Sequence, residues 1–81
     1  METKTEMKML NNVKDCREKM EEMSQERLAD IVGVSQKTIS NIENLSHIPN
    51  VLIAMRLADI FKVDIYKLFK DVNWERRTKG L

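Results

Sequence analysis

Cysteine and histidine are almost missing from this chain: Cys16 and His47 are the only ones among 81 residues. One cysteine excludes an internal disulfide, and one cysteine with one histidine falls short of the ligand set of a zinc site. Neither a metal nor another cofactor is expected. Long apolar runs are lacking too. No stretch nears the roughly 18 residues of a membrane span, and the opening Met1-Glu2-Thr3-Lys4 has no signal-peptide core, so a cytoplasmic protein is expected. Without a glycine-rich phosphate loop or a nucleophile paired with a histidine, catalysis has little to stand on, and an enzyme is not expected. An excess of one charge is also absent. The formal net charge is +1, so composition by itself makes no case for a polyanionic partner.

What is present is an ordinary globular composition, 42% apolar and 33% charged, in a chain long enough for one core but not two. Charge is polarised along it. Acidic residues crowd Glu18 to Asp30, Lys37 stands nearly alone in the central segment, and Arg76, Arg77 and Lys79 lie in the tail.

Periodicity organises the middle of the chain into helices. Residues 12–20 place Val13, Cys16, Arg17 and Met20 at spacings of three and four, which predicts a first helix with Cys16, Met20 and the nearby Met23 turned to the core. Ser24 is positioned to cap a second helix, Gln25 to Val32, whose Leu28, Ala29 and Val32 form a stripe; Gly33 ends it. Ser35 then caps Gln36 to Asn44, with Ile39, Ile42 and Glu43 directed inward. Leu45 to Pro49 reads as a loop because proline cannot donate to a helix ladder and holds Ile48 extended. Asn50 caps a fourth helix carrying Ala54, Leu57, Ala58 and Phe61 on one face, and Asp64 caps a short fifth in which Ile65, Leu68 and Phe69 close the core. Alternation in residues 6–10 and in Val72-Asn73-Trp74 allows a two-stranded ribbon joining the termini, one that needs buttressing by the helices or a second subunit. The expectation is an all-α, compact five-helix domain over 11–70, preceded by an arm or short strand at 1–10. A tail at 71–81 serves as a strand or dimerisation element.

The most informative segment runs from Ser24 to Asn44, with Ser24-Gln25, Leu28-Ala29, Gly33-Val34-Ser35 and Ile39-x-x-Ile42-Glu43-Asn44. Over roughly residues 11–70 the chain resembles the Cro/repressor, or xenobiotic-response-element, family of helix-turn-helix proteins, which implies a lambda-repressor-like fold and double-stranded DNA as partner. The physical reading runs parallel to the resemblance. A glycine between two short helices lets them cross steeply, so that the second stands proud and can enter a major groove about 12 Å wide. With Ile39 and Ile42 inward, the outward residues Gln36, Lys37, Ser40, Asn41 and Asn44 offer amide, hydroxyl and ammonium groups that can read base edges.

The resemblance implies base contacts from Gln36, Lys37 and Asn41, with Ser40 a fourth. It implies that Gln25 bonds a phosphate and buttresses Gln36, and that Ser35, Thr38, Asn44, Ser46 and His47 flank the groove as phosphate candidates. Arg17 and Glu43 match a structural salt bridge between the first helix and the recognition helix. Leu45 stands where the family usually has glycine, so Asn44 is expected to take the left-handed conformation that ends the helix. Blander readings exist for several of these: the four caps would serve any helical protein, a loop histidine is often merely solvated, and the basic tail is either solvated or a nonspecific DNA arm.

Leu52, Ile53, Met55 and Ile60 are apolar beyond what the inner face of the fourth helix needs, and surplus apolar surface on a small protein marks an interface. Leu52, Met55, Ile60 and Trp74 are therefore the dimer candidates, with packing inside its own subunit the alternative for Trp74. A two-fold dimer presents two recognition helices about 34 Å apart on a pseudo-palindromic site. The expected function is a sequence-specific, homodimeric transcriptional regulator acting as a repressor. The alternative is an antitoxin that neutralises a partner protein and regulates its own promoter.

Overall fold

The computed structural model describes residues 9–71, 74 and 77–81. In chain order these form β1 (Met9–Asn11), α1 (Val13–Glu18), α2 (Gln25–Val32), α3 (Gln36–Glu43), α4 (Val51–Phe61), α5 (Ile65–Leu68) and β2 (Phe69–Asp71). No helix among the described residues is long and apolar enough to cross a membrane.

Each helix from α2 onward starts on a side-chain cap. Ser24 Oγ accepts from the Arg27 N–H at 3.0 Å, Ser35 Oγ from Thr38 at 3.1 Å, Asn50 Oδ1 from Ile53 at 2.9 Å, and Asp64 Oδ1 from Tyr66 at 2.7 Å. Each bond satisfies an amide that the helix itself leaves without a partner.

The C-terminal ends of α2, α3 and α4 share one solution. In each, a left-handed residue folds the chain back so that the amide beyond it reaches a carbonyl five residues earlier. Gly33 (φ +93°) sends Val34 N–H to Ala29, Leu45 (φ +69°) sends Ser46 N–H to Asn41, and Lys62 (φ +57°) sends Val63 N–H to Ala58. Only the first of these residues is a glycine.

The helices converge on one cluster: Val13 from α1, Leu28, Ala29 and Val32 from α2, Ile39 and Ile42 from α3, Leu57 and Ala58 from α4, and Leu68 from α5. Cys16, Met23, Val34, Ile53, Ile60, Phe61, Ile65 and Phe69 pack around it, half-buried. The ribbon is antiparallel, with Met9 opposite Asp71, Leu10 opposite Lys70 and Asn11 opposite Phe69. It is fastened to the helices where Asn12 N–H donates to the Leu68 carbonyl at 3.0 Å and Asn12 Nδ2 to Lys67 at 3.1 Å.

Four details depart from the sequence reading. First, α1 stops at Glu18 rather than running to residue 20, and Met20 lies exposed in the turn instead of in the core. Continuing the helix would stack Glu18 over Glu21 and Glu22, a like-charge arrangement that weakens helices. Second, the strands lie at 9–11 and 69–71, so the ribbon straddles the boundaries expected at 10/11 and 70/71. Residues 6–8, 72 and 73 lie outside the described residues, and Trp74 follows the strand, its N–H donating to Asp71 Oδ1 at 2.9 Å. Third, Phe69 is the first residue of β2 (φ −123°, ψ 134°) and not part of α5, which is a single turn and packs Phe69 inward from the strand.

The fourth concerns the end of α3. The left-handed residue is Leu45; Asn44 stays near the helical region at φ −91°, ψ 10°. Asn44 spends its side chain instead, accepting at Oδ1 from Ser46 N–H (3.1 Å) and Ser46 Oγ (2.7 Å). The reversal therefore falls one residue later, on a leucine that has to bear the strain of roughly 1–2 kcal/mol.

Candidate nucleic-acid interface

Gly33, Val34 and Ser35 alone separate α2 from α3. Such a short connection is possible because Gly33 takes φ +93° without steric penalty. The Val32 carbonyl, left over at the end of α2, accepts from Arg56 Nη1 at 2.8 Å, which brings α4 up against the bend. Past the bend, Ser35 both caps α3 and shares a 2.9 Å hydroxyl bond with Thr38.

Along α3 the two faces differ completely. Ile39 and Ile42 are fully buried, whereas Gln36 and Lys37 are exposed and Ser40 and Asn41 half-buried. Among the described residues, no hydrogen bond holds the side chains of these four polar residues to the rest of the protein. A row of amide, ammonium and hydroxyl groups on a rod of about two turns is therefore without an internal hydrogen bond among the described residues, its leading half exposed and its trailing half partly covered.

The back of α3 is tied down by a buried carboxylate. Glu43, 4% exposed at its side chain, accepts from Arg17 Nε at 2.7 Å and Nη2 at 3.3 Å, and from Gln25 Nε2 at 2.9 Å. Arg17 Nη1 also donates to the Met23 carbonyl at 3.0 Å, so one guanidinium joins α1, the loop before α2, and α3. The hydrogen bond to Glu43, helped by its charge and opposed by desolvation, raises the Arg17 pKa above its already high ordinary value.

The buttress expected between Gln25 and Gln36 is not formed. The Gln25 amide nitrogen turns to Glu43, because a buried carboxylate needs every donor within reach. At the far end, Asn44 and Ser46 are engaged with each other, and the single Ser46 hydroxyl proton is shared between Asn44 Oδ1 at 2.7 Å and, more weakly, the Asn41 carbonyl at 3.3 Å; His47 is exposed. Of the dimer candidates, Leu52, Met55 and Trp74 are more than half exposed, while Ile60 is half-buried against the core of its own subunit.

Two residues of this region were invisible to sequence reasoning. Asn11, on β1, donates from Nδ2 to the Ile42 carbonyl at 2.9 Å and accepts the Val13 N–H at Oδ1 at 3.0 Å. Arg56 is the other. The one available signal was that Arg56 is the only cation in the mostly apolar α4, whose other charged residue is Asp59.

The family model described as helix-turn-helix matches residues 13–68, from the start of α1 to the end of α5. The chain belongs to the Cro/repressor helix-turn-helix family. It is similar to the uncharacterized HTH-type transcriptional regulator YgzD of Bacillus subtilis, at 33% identity over 61 residues covering 75% of this chain and 91% of the relative. It is also similar to an uncharacterized HTH-type transcriptional regulator of Archaeoglobus fulgidus, at 33% identity over 72 residues covering 85% of this chain and the full length of that protein. As a Cro/repressor helix-turn-helix protein, it is a DNA-binding transcriptional regulator.

Proposed function

We propose that the protein represses transcription from the cytoplasm by binding a pseudo-palindromic operator as a homodimer, with α3 of each subunit in the major groove. The observation that carries this reading is the polar face of α3, whose Gln36, Lys37, Ser40 and Asn41 side chains make no internal hydrogen bond among the described residues, set against its fully buried apolar face. Gln36 and Asn41 have the paired donor and acceptor that adenine matches bidentately, Lys37 can donate to guanine, and Ser40 suits either. Ser35, Thr38, Asn44, Ser46 and His47 bracket this row and contact phosphates. Gln25 joins them, since its amide nitrogen carries a second hydrogen beyond the one given to Glu43.

Selection of preferred duplexes from a random pool, followed by footprinting, tests the proposal. A symmetric site with half-sites one helical turn apart is expected, with affinity falling steeply as salt rises. On that site, Gln36→Ala and Asn41→Ala relax base preference, each by about tenfold or more, whereas Gln25→Ala weakens cognate and random DNA alike. Equal losses on both DNAs for all three variants would refute the division between base and phosphate contacts.

A further inference from the structure

The bend that leads into α3 and the last turn of α3 are each gripped by a side chain that comes from outside the helix-turn-helix motif and aims at a backbone carbonyl. At the leading end, Arg56 Nη1 of α4 donates to Val32, the last residue of α2, at 2.8 Å. At the trailing end, Asn11 Nδ2 of β1 donates to Ile42, in the last turn of α3, at 2.9 Å. We propose that Arg56 and Asn11 are positioning residues for sequence readout, fixing the tilt of α3 relative to the body so that its polar face meets the bases in register.

The chemistry suits that task. A carbonyl at the C-terminal end of a helix carries partial negative charge and has no helical donor, so a guanidinium there gains both a hydrogen bond and a favourable dipole interaction. Because Val32 directly precedes the bend, holding its carbonyl holds the pivot about which α3 can swing. Asn11 is half-buried and doubly bonded: Oδ1 accepts from Val13 N–H while Nδ2 reaches Ile42, so its amide plane is fixed by α1 when it grips α3. The buried Ile39 and Ile42 set the depth of the rod through non-directional apolar contacts, and Glu43 ties its back to Arg17 and Gln25 at one point, which leaves rotation about that point to be fixed. The two directional bonds, one holding the pivot at the end of α2 and one holding the last turn of α3, oppose the remaining freedom. Base contacts respond to small displacements of the rod far more sharply than flexible contacts to phosphates do.

The inference rests on the reading of α3 as the base-contacting element, and the test separates the two. Wild-type protein is first measured on its selected duplex and on random duplex across a salt series; lack of any preference sinks the reading of α3 itself. Arg56→Gln and Asn11→Asp are then compared with it, the second keeping the acceptor for Val13 but removing the donor to Ile42. At temperatures where circular dichroism shows each variant folded, cognate affinity is expected to fall about tenfold, the discrimination carried by one good base contact, with random-duplex affinity and salt slope unchanged. Arg56→Lys, which keeps a donor on a long stem, recovers part of the loss and provides the folded comparison if Arg56→Gln fails to fold. A salt slope lowered by about one unit in an Arg56 variant would make that residue a phosphate contact and overturn its assignment. Cognate affinity equal to wild type in folded Arg56→Gln and Asn11→Asp would reduce both residues to a purely structural role.

Discussion

Glu43 shows how much one side chain can hold when it is buried with its charge intact. Its carboxylate is screened from water and satisfied by Arg17 and Gln25, so its stability depends on those donors more than on Coulomb attraction alone. Arg17→Met leaves that buried charge without its main partner and is expected to lower the unfolding free energy by about 3 kcal/mol. Glu43→Leu alone strands the Arg17 guanidinium less severely, since Met23 still accepts from it. Combining the two substitutions should recover part of the loss, because neither charge is then left unpaired. Denaturant titration of the four proteins checks this, and simple additivity would show that the pair is not coupled. The pairing of Arg17 with Glu43 could be anticipated only from family resemblance. Nothing in the spacing of residues 17 and 43 demands it, and the role of Gln25 in the same network depends on a side-chain direction that a linear chain does not display.

At the level of helices and turns, legibility followed the strength of the local signal. Ser24, Ser35, Asn50 and Asp64 announce helix starts because each offers a short side-chain acceptor ahead of an apolar stripe, and each makes the bond that chemistry predicts. Helix ends were harder to read. Gly33 is an obvious stop, but Leu45 and Lys62 adopt the same left-handed geometry with side chains that disfavour it, and the position follows from the backbone bonds they close rather than from their own preference. Relief of that strain gives a prediction. Lys62→Gly, at φ +57° and exposed, is expected to stabilise the domain by about 1 kcal/mol, the gain in the folded state being partly offset by greater freedom of the unfolded chain. A thermal melt reads this as a rise of several degrees; an unchanged or lower midpoint would mean that Lys62 contributes contacts outweighing its strain. The strands were foreseeable in kind but not in place, since β1 and β2 are three residues each and short alternation is a weak signal.

The whole molecule raises the question of how a domain of 9.5 kDa achieves discrimination. On the proposed reading, the eight-residue α3 presents only a few side chains to bases, and duplication on a two-fold axis would multiply the specificity of one reading head. The exposed Val51, Leu52 and Met55 lie close together on the first turns of α4 and supply apolar surface that this subunit does not use for its own core. Met55→Glu is therefore expected to yield a monomer in sedimentation equilibrium and to weaken operator binding at least tenfold, with little effect on the fold because the residue is solvent-facing. Retention of a dimer would shift the interface to the surface around Trp74.

Pairing β1 with β2 also has a mechanical consequence. The two strands lie side by side and antiparallel, so tension applied through the segments flanking the ribbon meets its hydrogen bonds one at a time, as in opening a zipper, before any load reaches the helices. Because Asn11 belongs to that ribbon and also holds Ile42, a tug on it would loosen the grip on α3 while the helical bundle stayed intact.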